Sequence, residues 1–230
     1  MAVELGQSYR VVVPHLLGFK CSSRPAQPNE LWTGPQAEGV LSVCDQSGIH
    51  KAVLVGHDFG GPVAAKLTEL RPKGWTHLAL FSTNTFADTP LPPPLSFTIM
   101  PLVGAIFQKL LFSKPSLAMM LRQGVGRPDI SLEKAAYLGD SQQVHAIATI
   151  FTYALTNLDS LYPPIERALS ANERPSLVGW GDKDPFFSID QGRRTAELVG
   201  GTFSLYKGAG HFTPEECVEE IVSDLRRLIE

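Results

Sequence analysis

The stretch Val55-Gly56-His57-Asp58-Phe59-Gly60-Gly61 decides how this chain folds. It follows a continuous apolar run and precedes residues 60–70, where apolar side chains recur at helical spacing. These patterns are typical of a strand covered on both faces and of an amphipathic helix. Glycines around the central residue allow a tight turn that lifts it out at the end of the strand. The pattern Gly-x-nucleophile-x-Gly predicts that Asp58 is a nucleophile, although aspartate is also a favoured helix N-cap.

Outward from this turn, strand and helix patterns alternate along the chain. Short apolar runs predict strands at 52–55, 78–81, 176–180 and 202–206, and helical spacing predicts helices at 35–48, 60–70, 189–199 and 215–230. The β-branched run at 10–13, which ends at Pro14, predicts one more buried strand. Alternation of this kind predicts an α/β fold with a mostly parallel sheet and flanking helices.

Residues 84–167 interrupt the alternation. They are rich in proline at first and then in Leu, Met and Phe with helical character. We predict a helical cap over 84–167, inserted between a first core part at 1–83 and a second at 168–230. The most apolar stretch, 91–112, is broken by four prolines and a lysine, so it is predicted to belong to the cap and not to cross a membrane.

Two further motifs follow predicted strands. These are Trp180-Gly-Asp-Lys-Asp184-Pro and Gly208-Ala-Gly-His211-Phe. Ligands of open α/β sheets bind at the carboxyl ends of strands, and the order nucleophile, acid, histidine is the one found on such a scaffold. We therefore predict that Asp184 is the acid and His211 the base that serve Asp58. Asp182 competes for the acid role but is better explained as a turn former.

Taken together, these motifs resemble the α/β-hydrolase superfamily, in the branch of haloalkane dehalogenases and epoxide hydrolases. The resemblance covers nearly the whole chain. Gly56-His-Asp-Phe-Gly-Gly-Pro62 resembles the branch's nucleophile motif, and residues 12–19 resemble its preceding strand and loop, with His15 in place of the usual Asp and Lys20 in place of a common Gly. The resemblance implies hydrolysis through an aspartyl-ester intermediate, on a small apolar substrate with an electrophilic sp³ carbon.

The resemblance also implies groups that support the leaving atom. Dehalogenases of this branch place Trp after the nucleophile, whereas Phe59 has no side-chain N–H to donate. Epoxide hydrolases use cap tyrosines, and here Tyr137, Tyr153 and Tyr162 lie in the predicted cap. We select Phe59 and Tyr153 as substrate-binding residues, with packing as the alternative role of each tyrosine.

The family's usual beginning is not found in the sequence. The family has three earlier strands, the third followed by a His-Gly-x-Pro loop, and no such motif occurs here. We expect an N-terminally truncated fold in which the strands at 10–13 and 52–55 lack the strand between them. Their backbone groups would then stay unpaired or the two would pair directly. An inactive hydrolase fold that serves as a binding or interaction module is the alternative function.

The composition of the chain limits the kinds of partner that we expect. The chain has 230 residues, 43% of them hydrophobic and 19% charged, with a net charge of -3 and no basic run, which argues against nucleic acid. Three widely spaced cysteines argue against a disulfide framework and a zinc site, and predict a cytoplasmic protein. We expect no cofactor, no metal and no membrane partner, and the sequence leaves the oligomeric state open.

Overall fold

The fold centres on a parallel sheet of four strands. The computed structural model describes residues 1–91, 95–127 and 140–230. The described strands are β1 (Ala52–His57), β2 (Trp75–Phe81), β3 (Ser176–Gly181) and β4 (Thr202–Tyr206), and they lie side by side in that order. Every neighbouring pair is parallel. The predicted α/β fold with a parallel sheet is therefore confirmed.

The helices flank this sheet or lie in the long segment between β2 and β3. The described α-helices are α1 (Ala2–Leu5), α2 (Thr33–Gln46), α3 (Gly60–Leu70), α4 (Gly104–Leu111), α5 (Lys114–Gln123), α6 (Ser141–Thr156), α7 (Leu158–Ser170), α8 (Ile189–Val199), α9 (Thr213–Glu216) and α10 (Val218–Ile229). Short 3-10 helices occupy Pro28–Leu31 and Leu95–Ile99. The prediction of a single helix at 215–230 is wrong in detail, because the buried Cys217 interrupts the helix and separates α9 from α10.

Apolar layers cover both faces of the sheet. Successive side chains of a strand point to opposite faces, and in β2 the alternation separates Leu78 and Leu80 from Ala79 and Phe81. The first pair packs into the layer that includes α2, α3, α7 and α8, and the second packs against α10. This double covering explains the continuous apolar runs of the inner strands β2 and β3, whereas Val55 of β1 and Leu205 of β4 are partly exposed at the two edges.

The predicted buried strand at 10–13 is wrong. These residues adopt no regular secondary structure, and Val13 is 70% exposed. A β-branched run forms a strand only when a neighbouring strand accepts its backbone hydrogen bonds. Among the described strands β1 pairs with β2 alone, so direct pairing between 10–13 and β1 does not occur.

Residues 84–167, which we call the cap segment, begin with a non-helical stretch at 84–91 and are mostly helical in the rest of their described residues. They contain the 3-10 helix Leu95–Ile99, helices α4 to α6 and most of α7, with no strand among their described residues. A small apolar core of their own forms around Phe112 and Leu117. Their treatment as a separate cap domain, with core parts at 1–83 and 168–230, remains a prediction.

Candidate active site

The turn between β1 and α3 places Asp58 at the end of its strand. Asp58 has a φ of +49°, in the left-handed region, which aspartate tolerates better than most residues. A Cβ at Gly56 would lie 2.7 Å from the carbonyl oxygen of Gly60, and one at Gly61 would lie 2.1 Å from the Oγ1 of Thr83. That Oγ1 donates a hydrogen bond of 2.6 Å to the carbonyl of Asp58. Close packing therefore requires glycine at 56 and 61.

The Asp184 carboxylate is held rigidly behind His211. Its Oδ1 accepts hydrogen bonds from the backbone N–H groups of Phe186 and Phe187, at 2.9 and 3.2 Å. Its Oδ2 lies 3.0 Å from the Nδ1 of His211, and its side chain is fully buried. Since a carboxylate can only accept, His211 carries its proton on Nδ1 toward Asp184.

Asp182 has a different environment. Its Oδ1 accepts a hydrogen bond of 2.7 Å from the N–H of Gly208. That contact joins the loop after β3 to the loop after β4 and does not involve the His211 side chain. Its placement fits the role of a turn former.

His211 lies between two carboxylates. Its Nε2 is 3.5 Å from the Oδ1 of Asp58, opposite the contact with Asp184. Burial of the ring disfavours its charged form, but the hydrogen bonds to Asp184 and Asp58 outweigh burial and raise the pKa of His211 to about 9. Burial acts to raise the pKa of Asp58, yet the contact with His211 lowers it overall. At neutral pH the site therefore holds an ionised Asp58 beside a protonated His211.

His57 supports the site from behind, and the sequence analysis did not identify it. Its Nε2 lies 2.9 Å from the carbonyl oxygen of His211, so that nitrogen donates. Burial, together with the nearby charge of His211, lowers the pKa of His57 to about 4. His57 is thus a neutral donor that fixes the backbone of His211.

Glu216 also fixes residues 207–212, the loop that carries His211, which we call the histidine loop. The sequence analysis did not identify this role of Glu216. This side chain is buried, and its carboxylate accepts backbone N–H groups from Gly126 and Arg127, both at 2.8 Å, and from Gly210 at 3.1 Å. The N–H of His211 donates to the carbonyl of Gly124 at 2.6 Å. The histidine loop is therefore joined directly to the cap segment.

A cavity of about 390 Å³ opens above these residues. Asp58 and His211 line one end, and most other lining side chains are aliphatic or aromatic and come largely from the cap segment. No lysine or arginine belongs to the lining that the structure describes. The Asp58 side chain is 36% exposed, toward this space.

The predicted substrate-binding residues differ in position. Phe59 lines the cavity, whereas Tyr153 packs edge-on against Trp32 and is absent from the described lining. Tyr162 does line the cavity, and Tyr137 lies outside the described residues. Both described tyrosines pack at 5.9 Å from the Trp32 ring, so this one buried ring orients the pair.

The tight turn after β1 brings Asp58 together with Asp184 and His211 at one edge of the parallel sheet of this α/β protein. A family model for the alpha/beta hydrolase fold matches residues 1–115, half of the chain. The chain belongs to this family.

Relatives agree with this assignment. The chain is 22% identical over 186 residues to the uncharacterized hydrolase YugF of Bacillus subtilis, covering 80% of this chain and 67% of the relative. It is 24% identical over 227 residues to epoxide hydrolase 4 of Mus musculus, covering 88% of this chain and 60% of the relative. The chain thus spans between 60% and 67% of these two proteins.

A solved structure shows the same fold. The 2-hydroxy-6-oxo-6-phenylhexa-2,4-dienoate hydrolase from a Rhodococcus strain superposes with a TM-score of 0.80 at 18% identity. The match covers 99% of this chain and 82% of that protein.

Within residues 1–91, 95–127 and 140–230, none of the helices has the length and apolar character needed to cross a membrane.

Proposed function

We propose that Asp58 is the nucleophile of a hydrolase that forms and then hydrolyses an alkyl ester on this side chain. The observation that carries the proposal is the position of His211, 3.5 Å from Asp58 and 3.0 Å from Asp184, beneath an apolar cavity. Two carboxylates sharing one histidine suit a scheme in which the first carboxylate attacks and the second orients the base.

In the first step, an Asp58 oxygen attacks an sp³ carbon of the substrate. A new C–O bond forms, and the bond from that carbon to the leaving atom breaks, with its electron pair going to the leaving atom. This step needs an ionised carboxylate and no base, and the lowered pKa of Asp58 supports that state. Restricted water in the apolar cavity leaves the carboxylate more reactive than it would be in bulk solvent.

An epoxide would be favoured by the position of Tyr162, because an opened epoxide oxygen requires a proton. The Asn84 Oδ1 already accepts from the N–H of Phe86 and the hydroxyl of Thr89, so its amide N–H is what it presents to Tyr162. The phenol hydrogen is then free to point toward a ligand. Burial raises the pKa of Tyr162, so the group keeps its proton at neutral pH.

In the second step, His211 removes a proton from water and the resulting hydroxide adds to the ester carbonyl of Asp58. Esterification removes the negative charge of Asp58, so His211 loses one of its two carboxylate neighbours and its pKa falls. The Nε2 proton then passes to solvent, and the neutral ring can act as the base. The N–H of Phe59 bonds the Asp58 carboxylate and would stabilise the oxyanion. Collapse of the tetrahedral intermediate breaks the bond to the alcohol oxygen, which takes the proton from His211. The Asp58 carboxyl group then gives up the remaining proton of the added water, to the Tyr162 phenolate after an epoxide has opened or to solvent after a halide has left, and the carboxylate is regenerated.

The lining of the cavity supports an uncharged, apolar substrate. A carboxylate or phosphate group placed there would meet no lysine or arginine among the described lining residues, and the charge of His211 already faces two carboxylates. A buried charge without a partner is costly. Epoxides and haloalkanes with apolar substituents fit this requirement. An epoxide is our first choice because of Tyr162, and a haloalkane is the second.

The decisive experiment uses His211→Gln, which should form the ester without hydrolysing it. After exposure to an apolar epoxide, mass spectrometry should show a stable adduct on the peptide that contains Asp58. Asp58→Asn is the control and should show none. Formation of a diol by the wild type identifies an epoxide substrate, and release of halide identifies a haloalkane.

The scheme would be wrong if the wild type turns over substrate while His211→Gln shows neither an adduct nor a burst of product. Absence of both turnover and adduct in every variant would favour the non-catalytic binding module instead.

A further inference from the structure

The cap segment presents a concentrated apolar surface to solvent. Within only 21 residues, six large apolar side chains are at least 45% exposed. Scattered exposed apolar residues are ordinary, but a contiguous group usually marks an interaction surface. We call this group the apolar cap surface; it consists of Ile99, Met100, Leu102, Ile106, Leu110 and Met119.

Helix α4 lies at the centre of this surface and is apolar on both of its sides. Ile106 and Leu110 are four residues apart in α4, so they lie on one side of the helix, and the fully exposed Leu102 lies in the turn just before it. Ile106 and Leu110 are each 61% exposed. On the inner side, Phe107 lies 5.1 Å from the Phe97 ring. A surface helix of an ordinary globular protein would have polar residues on its outer side.

The part of the sequence that holds this surface carries charges of one sign. Residues 89–128 contain no aspartate or glutamate, although the whole chain has a net charge of -3. Lys109, Lys114 and Arg122 are exposed there, and none forms an ion pair with any residue that the structure describes. An apolar stripe flanked by unpaired basic side chains is complementary to an anionic membrane surface.

We propose that the apolar cap surface docks on the surface of an anionic phospholipid bilayer. Leu102, Ile106 and Leu110 enter the boundary between headgroups and acyl chains, while Lys109 and Lys114 contact lipid phosphate and carboxylate groups. Helix α4 has eight residues, far fewer than the about 20 needed to span a bilayer. The mode is therefore interfacial docking and not insertion across the membrane.

The cap connects this surface to the cavity. The 3-10 helix Leu95–Ile99 and helix α5 contribute Leu95, Leu117 and Met120 to the cavity lining, while Ile99 and Met119 of the same elements face outward. If the proposed hydrolase function holds, docking would bring an apolar substrate dissolved in the bilayer close to the site. Docking itself does not depend on that function.

Vesicle flotation with the full chain tests the proposal. The protein should float with mixed phosphatidylcholine–phosphatidylserine vesicles, and much less with phosphatidylcholine alone or at high salt. Ile106→Gln with Leu110→Gln should weaken binding at least about tenfold. Lys109→Gln with Lys114→Gln should weaken it by roughly fivefold per charge removed.

Matched controls separate the cap from general surface effects. Val3→Gln with Val13→Gln replaces two apolar side chains elsewhere that are even more exposed, and Lys51→Gln with Lys73→Gln removes two exposed charges outside the cap. Both should bind as the wild type does, and so should Asp58→Asn. Thermal unfolding followed by circular dichroism verifies that each variant is folded.

Three outcomes would overturn the proposal. One is the absence of binding to anionic vesicles by the folded wild type, and another is binding that the cap variants leave unchanged. The third is a dimer, seen by light scattering, that Ile106→Gln with Leu110→Gln dissociates while vesicle binding is absent. That result would make the surface a contact between two copies of the chain.

Discussion

Substitution of Glu216 by glutamine should lower both the free energy of unfolding and the rate of turnover. The Glu216 carboxylate is 3% exposed and accepts three backbone N–H groups, two from the cap segment and one from the histidine loop. Glutamine has nearly the same shape but offers one oxygen, and its amide N–H₂ would face at least one of these donors. A buried donor would then lose its partner.

The magnitude follows from the number of bonds affected. A hydrogen bond to a charged group contributes about 1.5–3 kcal/mol, and an unsatisfied buried donor costs about 1–3 kcal/mol. Loss of one or two such bonds predicts a decrease of about 2–4 kcal/mol in the free energy of unfolding. For a chain of this length the midpoint of thermal unfolding should fall by roughly 5–15 °C. Turnover should fall as well, because Gly210 precedes His211 directly.

Circular dichroism during heating measures the first effect, and steady-state turnover at a temperature where the variant is folded measures the second. Glu219→Gln is the matched control, since that side chain is exposed at the start of α10 and makes none of these bonds. A Glu216→Gln variant that unfolds within about 0.5 kcal/mol of the control would refute the reasoning, because the carboxylate bonds would then contribute nothing measurable.

Three further predictions follow from the site. The pKa of His211 in the folded protein is about 9 and exceeds its ordinary value of 6.5. The stabilisation from its protonated form is therefore full below about pH 6.5 and is lost as pH rises toward 9. Denaturant unfolding at several pH values should show this decrease in the free energy of unfolding in the wild type and not in His211→Gln. Tyr162→Phe should lower kcat for an epoxide by roughly 100-fold or more, since a general acid is lost, whereas Tyr153→Phe should leave kcat near the wild-type value in the same diol assay. Gly61→Ala should lower the free energy of unfolding by about 2–3 kcal/mol because its methyl group would collide with a neighbouring threonine; Gly60→Ala, which has open space, should change it by less than about 1 kcal/mol in the same denaturant measurement.

The sheet could be predicted because its strands carry their own signal. The continuous apolar run at 78–81 is buried on both faces. The run at 52–55 also forms a strand although Val55 is 36% exposed, so this local pattern predicts the strand without knowledge of its neighbours. The run at 10–13 has equally strong β-branched character, but its burial depends on an adjacent strand. Local sequence describes the preference of a segment and not the presence of its partner, which is why this strand prediction failed.

The convergence of Asp58, Asp184 and His211 could also be expected, because parallel strands bring their carboxyl ends to one edge of the sheet. The contacts of Glu216 with distant parts of the chain could not be expected. Glu216 binds a backbone N–H 90 positions earlier, and nothing in the pattern around it differs from an ordinary exposed acidic pair at a helix start.

The tyrosines show where sequence reasoning ends and packing decides. Tyr153 and Tyr162 lie on adjacent cap helices, and helical periodicity places both beside apolar neighbours. The buried Trp32 ring, far away in sequence, contacts both at 5.9 Å, yet only Tyr162 lines the cavity. Asn84 then orients its hydroxyl, because the Asn84 carbonyl is already occupied and only the amide remains to donate. The proposal of Tyr162 as proton donor thus rests on hydrogen bonds that exist only in the folded chain. For this reason, the comparison of Tyr162→Phe with Tyr153→Phe tests two things at once. It tests whether packing against Trp32 selects Tyr162 for the cavity, and whether Tyr162 donates the proton.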